Sequence, residues 1–257
     1  LSHAVPRLAL GEKAAFWRFF RFSHAEIRMR TIVYVDGYNL FFSLLTKTSF
    51  KWLDLNRLFS RVVRPVEPSS EIALVKYFTA PILGSMASDP RAEQRQAHYH
   101  RALRAVGGIE IIKGFHNKAI TTGILVDPVP DMTSGQRYRM QVMEEKQTDV
   151  NIVLHMYRDA ACRACDLLVL CSNDSDLEPV LAMIRTDLPD IRIGLVLPRS
   201  AENSGARRSG RLERHAHGTR HSIRVEELAG SQLPDRLRDH RNRTIQRPEE
   251  WRGSTDH

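Results

Sequence analysis

The chain has 257 residues, 42% hydrophobic and 26% charged, with a net charge of +8 and a pI near 9.7. That length holds one large α/β domain or a domain with a smaller appendage, and no stretch approaches the ~18–20 unbroken apolar residues of a membrane span. The basic balance favours a polyanionic partner over a plain solvated face. The three cysteines, Cys162, Cys165 and Cys171, fit reduced thiols of a cytoplasmic protein, not a disulfide framework or a zinc finger.

Residues 1–28 stand apart. Their most apolar piece, residues 14–22, is broken by Arg18 and Arg21 and lacks the cleavage site of a secretory signal. Met29 directly precedes the first convincing strand, so residues 1–28 read as an N-terminal extension, disordered or ahead of the natural start, with an aromatic docking helix as the alternative. From there strands and helices alternate. Residues 31–35 form a buried strand, and Leu40, Phe41, Phe42, Leu44 and Leu45 form an apolar helix face. Residues 53–63 form a helix with Leu55, Leu58, Phe59 and Val62 at helical spacing, closed by Pro65 and Pro68. A strand follows at 72–78, then a polar helix at about 90–106 with Arg91, Arg95, His98, Arg101 and Arg104 near one side.

Gly107-Gly108 turns the chain into a third strand, residues 109–113. Residues 116–140 contain Gly123, Pro128, Pro130 and Gly135 and read as a long irregular insertion. Helical periodicity returns over 148–164, a near-continuous apolar strand occupies 166–171, a helix 176–184 and a fifth strand 191–197. Five strands with helical crossovers predict an α/β fold with a mostly parallel central sheet flanked by helices. The domain is expected over residues 29–200. Residues 201–257 form a basic Arg/His-rich C-terminal extension, in which 223–228 and the segment from Leu233 to Trp251 have the apolar residues to pack back.

Acids collect at predicted strand and helix ends. Asp36 ends the first strand in Val35-Asp36-Gly37-Tyr38-Asn39, and Asp174 and Asp176 follow the central strand in Ser172-Asn173-Asp174-Ser175-Asp176. Asp149 opens a helix after Glu144-Glu145-Lys146. If the first and fourth strands are adjacent, Asp36, Asp174 and Asp176 share one pocket, with Asp149 reaching it from a helix N-terminus. Helix capping alone accounts for some of these acids, at ~1 kcal/mol per cap. It does not account for two acids at the end of the central strand. Carboxylates ~5 Å apart repel by ~3 kcal/mol at an effective dielectric near 20, so such a cluster calls for protonation or a cation. Without Cys or His donors that cation is Mg²⁺ or Mn²⁺, not zinc.

These three motifs, with Lys146-x-x-Asp149-Val150 as the second, resemble the signatures of NYN domains, PIN-like metal-dependent ribonuclease folds, here in their bacterial LabA-like branch. The resemblance covers roughly residues 29–200, and the closing segment from Ser231 to Trp251 is similar to the end of many such proteins. It implies a PIN-like three-layer fold and Mg²⁺- or Mn²⁺-dependent hydrolysis of RNA. It implies metal-binding or catalytic roles for Asp36, Asp149, Asp174 and Asp176, with Asn39 orienting Asp36 or the substrate. Lys146, Arg91, Arg95, Asn173 and the C-terminal arginines are candidates to hold RNA. Asn173 stands where the family usually has glycine, and asparagine tolerates the left-handed backbone glycine would adopt there; Leu177 replaces the usual phenylalanine. His98, His100 and His116 have no partner at metal-ligand spacing. Two rival functions stand beside this one: a catalytically silent RNA-binding or regulatory module, and a succinoylpyridine monooxygenase-like protein of nicotine degradation, for which the sequence carries no flavin, haem or nicotinamide motif. Beside RNA, a homo-oligomer is among the expected partners. A dehalogenase-type phosphatase lacks its second aspartate, and no Gly-rich phosphate loop is present.

Overall fold

The structure, a computed structural model, describes residues 28–46, 48–83, 89–127, 130, 132–133, 135–200 and 210–252. The expectations for residues 1–27 lie outside the described residues. Strand β1 (Met29–Asp36) is buried from Thr31 onward and runs directly into α1 (Gly37–Leu40), which continues as a π-helical turn, Phe41–Leu45. Helix α2 (Leu55–Val63) is capped by Asp54, whose carboxylate accepts the Arg57 amide at 3.1 Å. Strand β2 (Ser70–Thr79) and helix α3 (Ala92–Val106) follow. Gly107 and Gly108, both at positive φ (75° and 67°), turn the chain into β3 (Ile109–Lys113).

After β3 the chain forms β4 (Phe115–Ile124) and β5 (Arg137–Lys146), then α4 (Thr148–Ala161) and β6 (Leu167–Cys171). A 3₁₀ turn, Ser175–Leu177, leads into α5 (Glu178–Asp187), and β7 (Arg192–Val196) follows. The described C-terminal part holds α6 (Gly210–Glu213), β8 (Gly218–Arg220), α7 (Val225–Ala229), and a small hairpin of β9 (Arg236–Arg238) and β10 (Thr244–Gln246).

Six strands make one sheet in the order β3-β2-β1-β6-β7-β8, with every neighbouring pair parallel. The five strands expected from hydrophobic runs are β1, β2, β3, β6 and β7, and β1 and β6 lie side by side as the acid pattern required. A parallel sheet is covered on both faces. Alternate residues of β1 divide accordingly. Val33 and Val35 join a core with Leu55, Leu58 and Leu103, and Ile32 and Tyr34 join one with Ile152, Met156 and Leu181. Among the described residues no helix is long and apolar enough to cross a membrane, and the three cysteines are free thiols.

The structure corrects the expectation for residues 116–140. Rather than an irregular insertion, this region supplies β4 and the start of β5, which pair antiparallel over ten rungs from Phe115↔Lys146 to Ile124↔Arg137. The period-two alternation of Tyr138, Met140 and Val142 carried that signal, but the flanking prolines and glycines obscured it.

The C-terminal residues are built into the fold. Strand β8 is the sixth strand of the sheet, and Ile223, Leu228, Leu233 and Ile245 are buried in the same core as α2. The Trp52 indole donates to the Pro234 carbonyl at 3.0 Å, the Leu233 amide donates to the Trp52 carbonyl at 2.8 Å, and the Trp251 ring lies 6.1 Å from that of Trp52. The basic side of α3 holds this segment: Arg95 meets Glu250 at 3.2 Å, and Arg101 donates to the Thr244 carbonyl at 2.7 Å. A chain ending at Pro198 lacks β8 and four core side chains, and circular dichroism is expected to show it unfolded.

A buried polar knot ties β1, β2 and α4 together. Asp159 accepts from the Tyr34 hydroxyl at 2.7 Å and from the Lys76 ammonium at 2.6 Å. Burial pushes the Asp159 carboxyl up, but the hydrogen bonds from Lys76 and Tyr34 and the charge of Lys76 outweigh it and hold the group below its ordinary value. Asp159→Asn leaves Lys76 buried without its close counter-ion and should cost about 3 kcal/mol at pH 7, read by urea unfolding. Because the folded pKa is depressed, this stabilisation is present above the ordinary carboxyl value of 3.8 and is lost as pH falls below it. The gap between the two proteins should therefore narrow in acid.

Candidate functional site

The carboxyl ends of parallel strands share one edge, the usual place for ligands in open α/β sheets. Strands β1 and β6 pair in register, Val35 opposite Cys171. The next residues, Asp36 and Ser172, therefore meet at that edge, and both are buried. Glycine follows Asp36 for a steric reason: a Cβ at position 37 would lie 2.5 Å from the Phe78 carbonyl oxygen and 2.8 Å from the Tyr77 ring.

Asp36 is held by two donors. Its Oδ1 accepts the backbone N–H of Asn39 at 2.9 Å, and its Oδ2 accepts the Ser172 hydroxyl at 3.0 Å. Ser172 Oγ in turn accepts the Asp174 amide at 3.0 Å, and Asp174 Oδ1 accepts the Asp176 amide at 2.9 Å. The Asn39 side chain points elsewhere than expected: its Oδ1 accepts the Asn173 amide at 3.0 Å, so the backbone of Asn39, not its side chain, steadies Asp36. Asn39 thus pins the loop after β6 to the turn after β1. Asp36 and Asp174 both serve as caps, whereas Asp149 makes no cap: Gln147, at φ 74°, is the residue that precedes α4 and it offers no side-chain cap. The turn at Asn173 needs no left-handed residue, since the non-glycine residues with positive φ among those described are Gln147, Arg163 and Asn242.

The acids act on one another through the edge. Burial pushes the Asp36 carboxyl up to about 6 against the two hydrogen bonds, with Asp149 and Glu145 adding to the rise. Burial likewise raises Asp149, and the charges of Asp174 and Asp176 raise it further. All four expected aspartates therefore belong to one electrostatic cluster. Among the described residues, however, no three His, Cys, Asp or Glu side chains converge closely enough to hold an ion as they stand.

Two participants were not singled out from sequence. Ser172 bridges Asp36 and Asp174, and its place directly after a buried central strand was the available signal. Glu145 sits on β5 opposite His116. Burial raises its carboxyl above the ordinary value, with Asp149 adding and His116 opposing. Misreading β5 as irregular hid the alternation that aims this carboxylate.

The predicted substrate-binding residues are distributed differently. Lys146 pairs with Glu144 at 2.7 Å, one residue out of phase with Glu145 and so on the opposite face of β5. Arg95 pairs with Asp89 and Glu250, and Arg91 lies 3.6 Å from Glu250. Both arginines have acids of the chain beside them, but the Arg91 side chain stays 76% exposed and Arg95 lines the cleft beside the acid edge. Of the C-terminal arginines, Arg214, Arg220 and Arg243 face Glu178, Glu227 and Asp239.

Beside the acid edge opens a cleft of about 550 Å³, lined largely by apolar surface from Tyr38, Phe42, Tyr77, Tyr99, Met143 and Trp251. Tyr38 stacks on Phe42 with ring centroids 5.8 Å apart, and burial, then the Glu145 charge, pushes its phenol up to about 12. His116 closes one wall. Its Nδ1 lies 2.8 Å from the Pro81 carbonyl, which fixes the proton on Nδ1 and leaves Nε2 facing the Tyr38 hydroxyl.

Asp36 lends itself to a stability measurement on the metal-free protein. A folded pKa raised above 3.8 makes the wild type lose stability as pH rises toward 6, because the folded state then holds a buried charge. In chelator, Asp36→Asn should be the more stable protein at pH 7, by on the order of 3 kcal/mol. The difference should vanish below pH 4, read by urea titration at each pH.

Residues 30–209 match the family described as the NYN domain. Over 245 residues the chain is 38% identical to the 6-hydroxy-3-succinoylpyridine 3-monooxygenase HspA of Pseudomonas putida, an alignment covering 89% of this chain and 77% of that protein. A solved structure of a protein of unknown function from Vibrio parahaemolyticus aligns with 82% of this chain and all of its own length, at 17% identity and a TM-score of 0.44.

Proposed function

The chain belongs to the NYN family, and from that premise we propose that it hydrolyses RNA phosphodiester bonds at the Asp36 edge of its sheet. The observation that carries this reading is a carboxylate 5% exposed to solvent, raised by burial and set among further acids. Isolated burial of such a group is costly, and a cation removes the cost. The donor set also fits a hard divalent ion: it is all oxygen, and the buried Oδ1 of Asn173, which accepts no hydrogen bond from the described residues, offers a further one. Asp36, Asp149, Asp174 and Asp176 are the residues assigned to hold Mg²⁺ or Mn²⁺. When bound, such an ion lowers the pKa of water and offsets charge on the phosphoryl oxygens.

The chain's own groups do the positioning. The Asn39 amide and the Ser172 hydroxyl hold the two oxygens of Asp36 in one orientation. Asn39 Oδ1, through the Asn173 amide, keeps the Asp174 loop at a fixed distance from it. Asp149 or Asp176 is the acid assigned to accept a proton from the attacking water. The apolar cleft beside the acids receives the base next to the scissile bond and excludes water from that side.

A second reading has its own support. The cleft's aromatic lining suits a small planar substrate, and the relative from Pseudomonas putida is named for oxygenating a succinoylpyridine. That reaction takes O₂ as oxidant and a two-electron reductant such as NADH. Product analysis with 6-hydroxy-3-succinoylpyridine, NADH and air separates the two.

For the hydrolase reading, the purified protein should cut a mixed RNA pool in Mg²⁺ or Mn²⁺. Asp36→Asn and Asp174→Asn should each lower the rate by a hundredfold or more while the circular dichroism is unchanged. Mn²⁺ should raise the melting temperature of the wild type and leave that of Asp36→Asn where it is. A wild type that cuts no RNA, or variants that cut as fast as it does, would remove this assignment.

A further inference from the structure

The β4–β5 pair stands outside the six-stranded sheet as a two-stranded ribbon. Residues opposite one another on an antiparallel pair share a face, and faces alternate along each strand. The face that carries Glu145 and His116 is the one turned to the acids, and the next rung outward, Lys118 opposite Met143, brings Met143 to the cleft. Farther out on that same face lie Ile120, then Arg139 opposite Thr122, then Arg137 opposite Ile124. Lys118, Arg139 and Arg137 thus form a row that begins at the candidate active edge and leads away from it.

Three features set this row apart. None of the three cations has an ion pair among the described residues, whereas Lys146 on the opposite face is paired with Glu144. No acid lies on the face outward of Glu145. A lone two-stranded ribbon is marginal in water, yet this one extends with Ile120 67% and Ile124 57% exposed. Such a surface is built to be covered. Two copies meeting through this face about a two-fold axis would set Lys118, Arg137 and Arg139 against like charges, while a polyanion complements the row. The cleft at the foot of the ribbon, about 550 Å³ and lined by aromatic rings, has room for an unstacked base.

We propose that this face of the β4–β5 ribbon is the guide for single-stranded RNA, with Arg137 and Arg139 contacting adjacent backbone phosphates, Lys118 a third phosphate two same-face steps nearer the acids, and Ile120 and Ile124 lying against the bases. Same-face side chains on a strand recur every ~6.8 Å, so the row tracks an extended strand. The inference takes its ligand from the hydrolase reading, but it makes a separate claim about where the strand runs.

The test uses the full chain in EDTA, so that binding is read without cleavage. Anisotropy of a fluorescein-labelled oligouridylate is followed across KCl concentrations. Each neutralised phosphate contact on a single strand contributes about 0.7 to the slope of log affinity against log salt. Lys118→Gln, Arg137→Gln and Arg139→Gln together should flatten the slope by about 2 with the far-UV circular dichroism unchanged. An unchanged slope, or a wild type that does not bind, overturns the proposal. So does a triple variant that turns a dimer into a monomer by sedimentation while binding RNA as before, since the ribbon is then a contact between copies. The two readings fail separately. Asp36-dependent cleavage with an unchanged slope removes only the ribbon, and a flattened slope without any cleavage by the wild type in Mn²⁺ removes only the hydrolase.

Discussion

Asp36 places a carboxylate at 5% exposure among Asp149, Glu145, Asp174 and Asp176, and the fold around it is arranged to hold that charge where it lies. The in-register pairing of β1 with β6 sets Ser172 beside it. The close approach of the Phe78 carbonyl leaves room only for glycine at position 37, so the chain turns at once and returns the Asn39 amide to the same carboxylate. Two hydrogen bonds lower the proton affinity of Asp36, yet burial wins and leaves it near 6. An edge held this way is poised for positive charge in a manner that capping alone does not need.

Net charge is a poor guide to where this protein carries its cations for use. Among the described C-terminal arginines, Arg214, Arg220, Arg224, Arg243, Arg247 and Arg252 face acids of their own chain. Arg220 meets Glu227 at 2.7 Å, Arg243 meets Asp239 at 3.0 Å and Arg214 meets Glu178 at 2.9 Å. The arginine side of α3 behaves likewise, clasping the C-terminal hairpin through Arg95 and Arg101. Partly exposed pairs of this kind add little stability each, but they cancel the field that a bare count of arginines suggests. Lys118, Arg137 and Arg139 of the β4–β5 ribbon have no such partner among the described residues. They share a face with the acids.

The same geometry supports both proposed chemistries. The acid edge supplies the oxygen donors that the proposed phosphodiester hydrolysis needs. The neighbouring cleft supplies stacked aromatic surface from Tyr38 and Phe42, with a histidine whose Nε2 faces the phenol. A base next to a scissile phosphate and a free pyridine ring make similar demands on that cleft. What distinguishes them is the reacting group presented to Asp36 and Asp149.

The sequence by itself determined the strands that pass through the centre of the sheet and the acids at their ends. Residues 31–35 and 166–171 are apolar on both faces, a pattern that only a covered parallel strand satisfies, and an acid following such a strand has nowhere to go but the sheet edge. A sheet with β1 beside β6 was the condition under which these acids would share a pocket, and the fold meets it. Only the tertiary structure decided the rest. Strand β8 has three residues and no hydrophobic run of its own, so its place in the sheet depends on β7 being there to receive it. The ribbon formed from a region whose prolines and glycines outweighed a period-two signal. Glu145 and Ser172 joined the site because strand phase and register aim side chains, and neither phase nor register can be read before the partner strand is known.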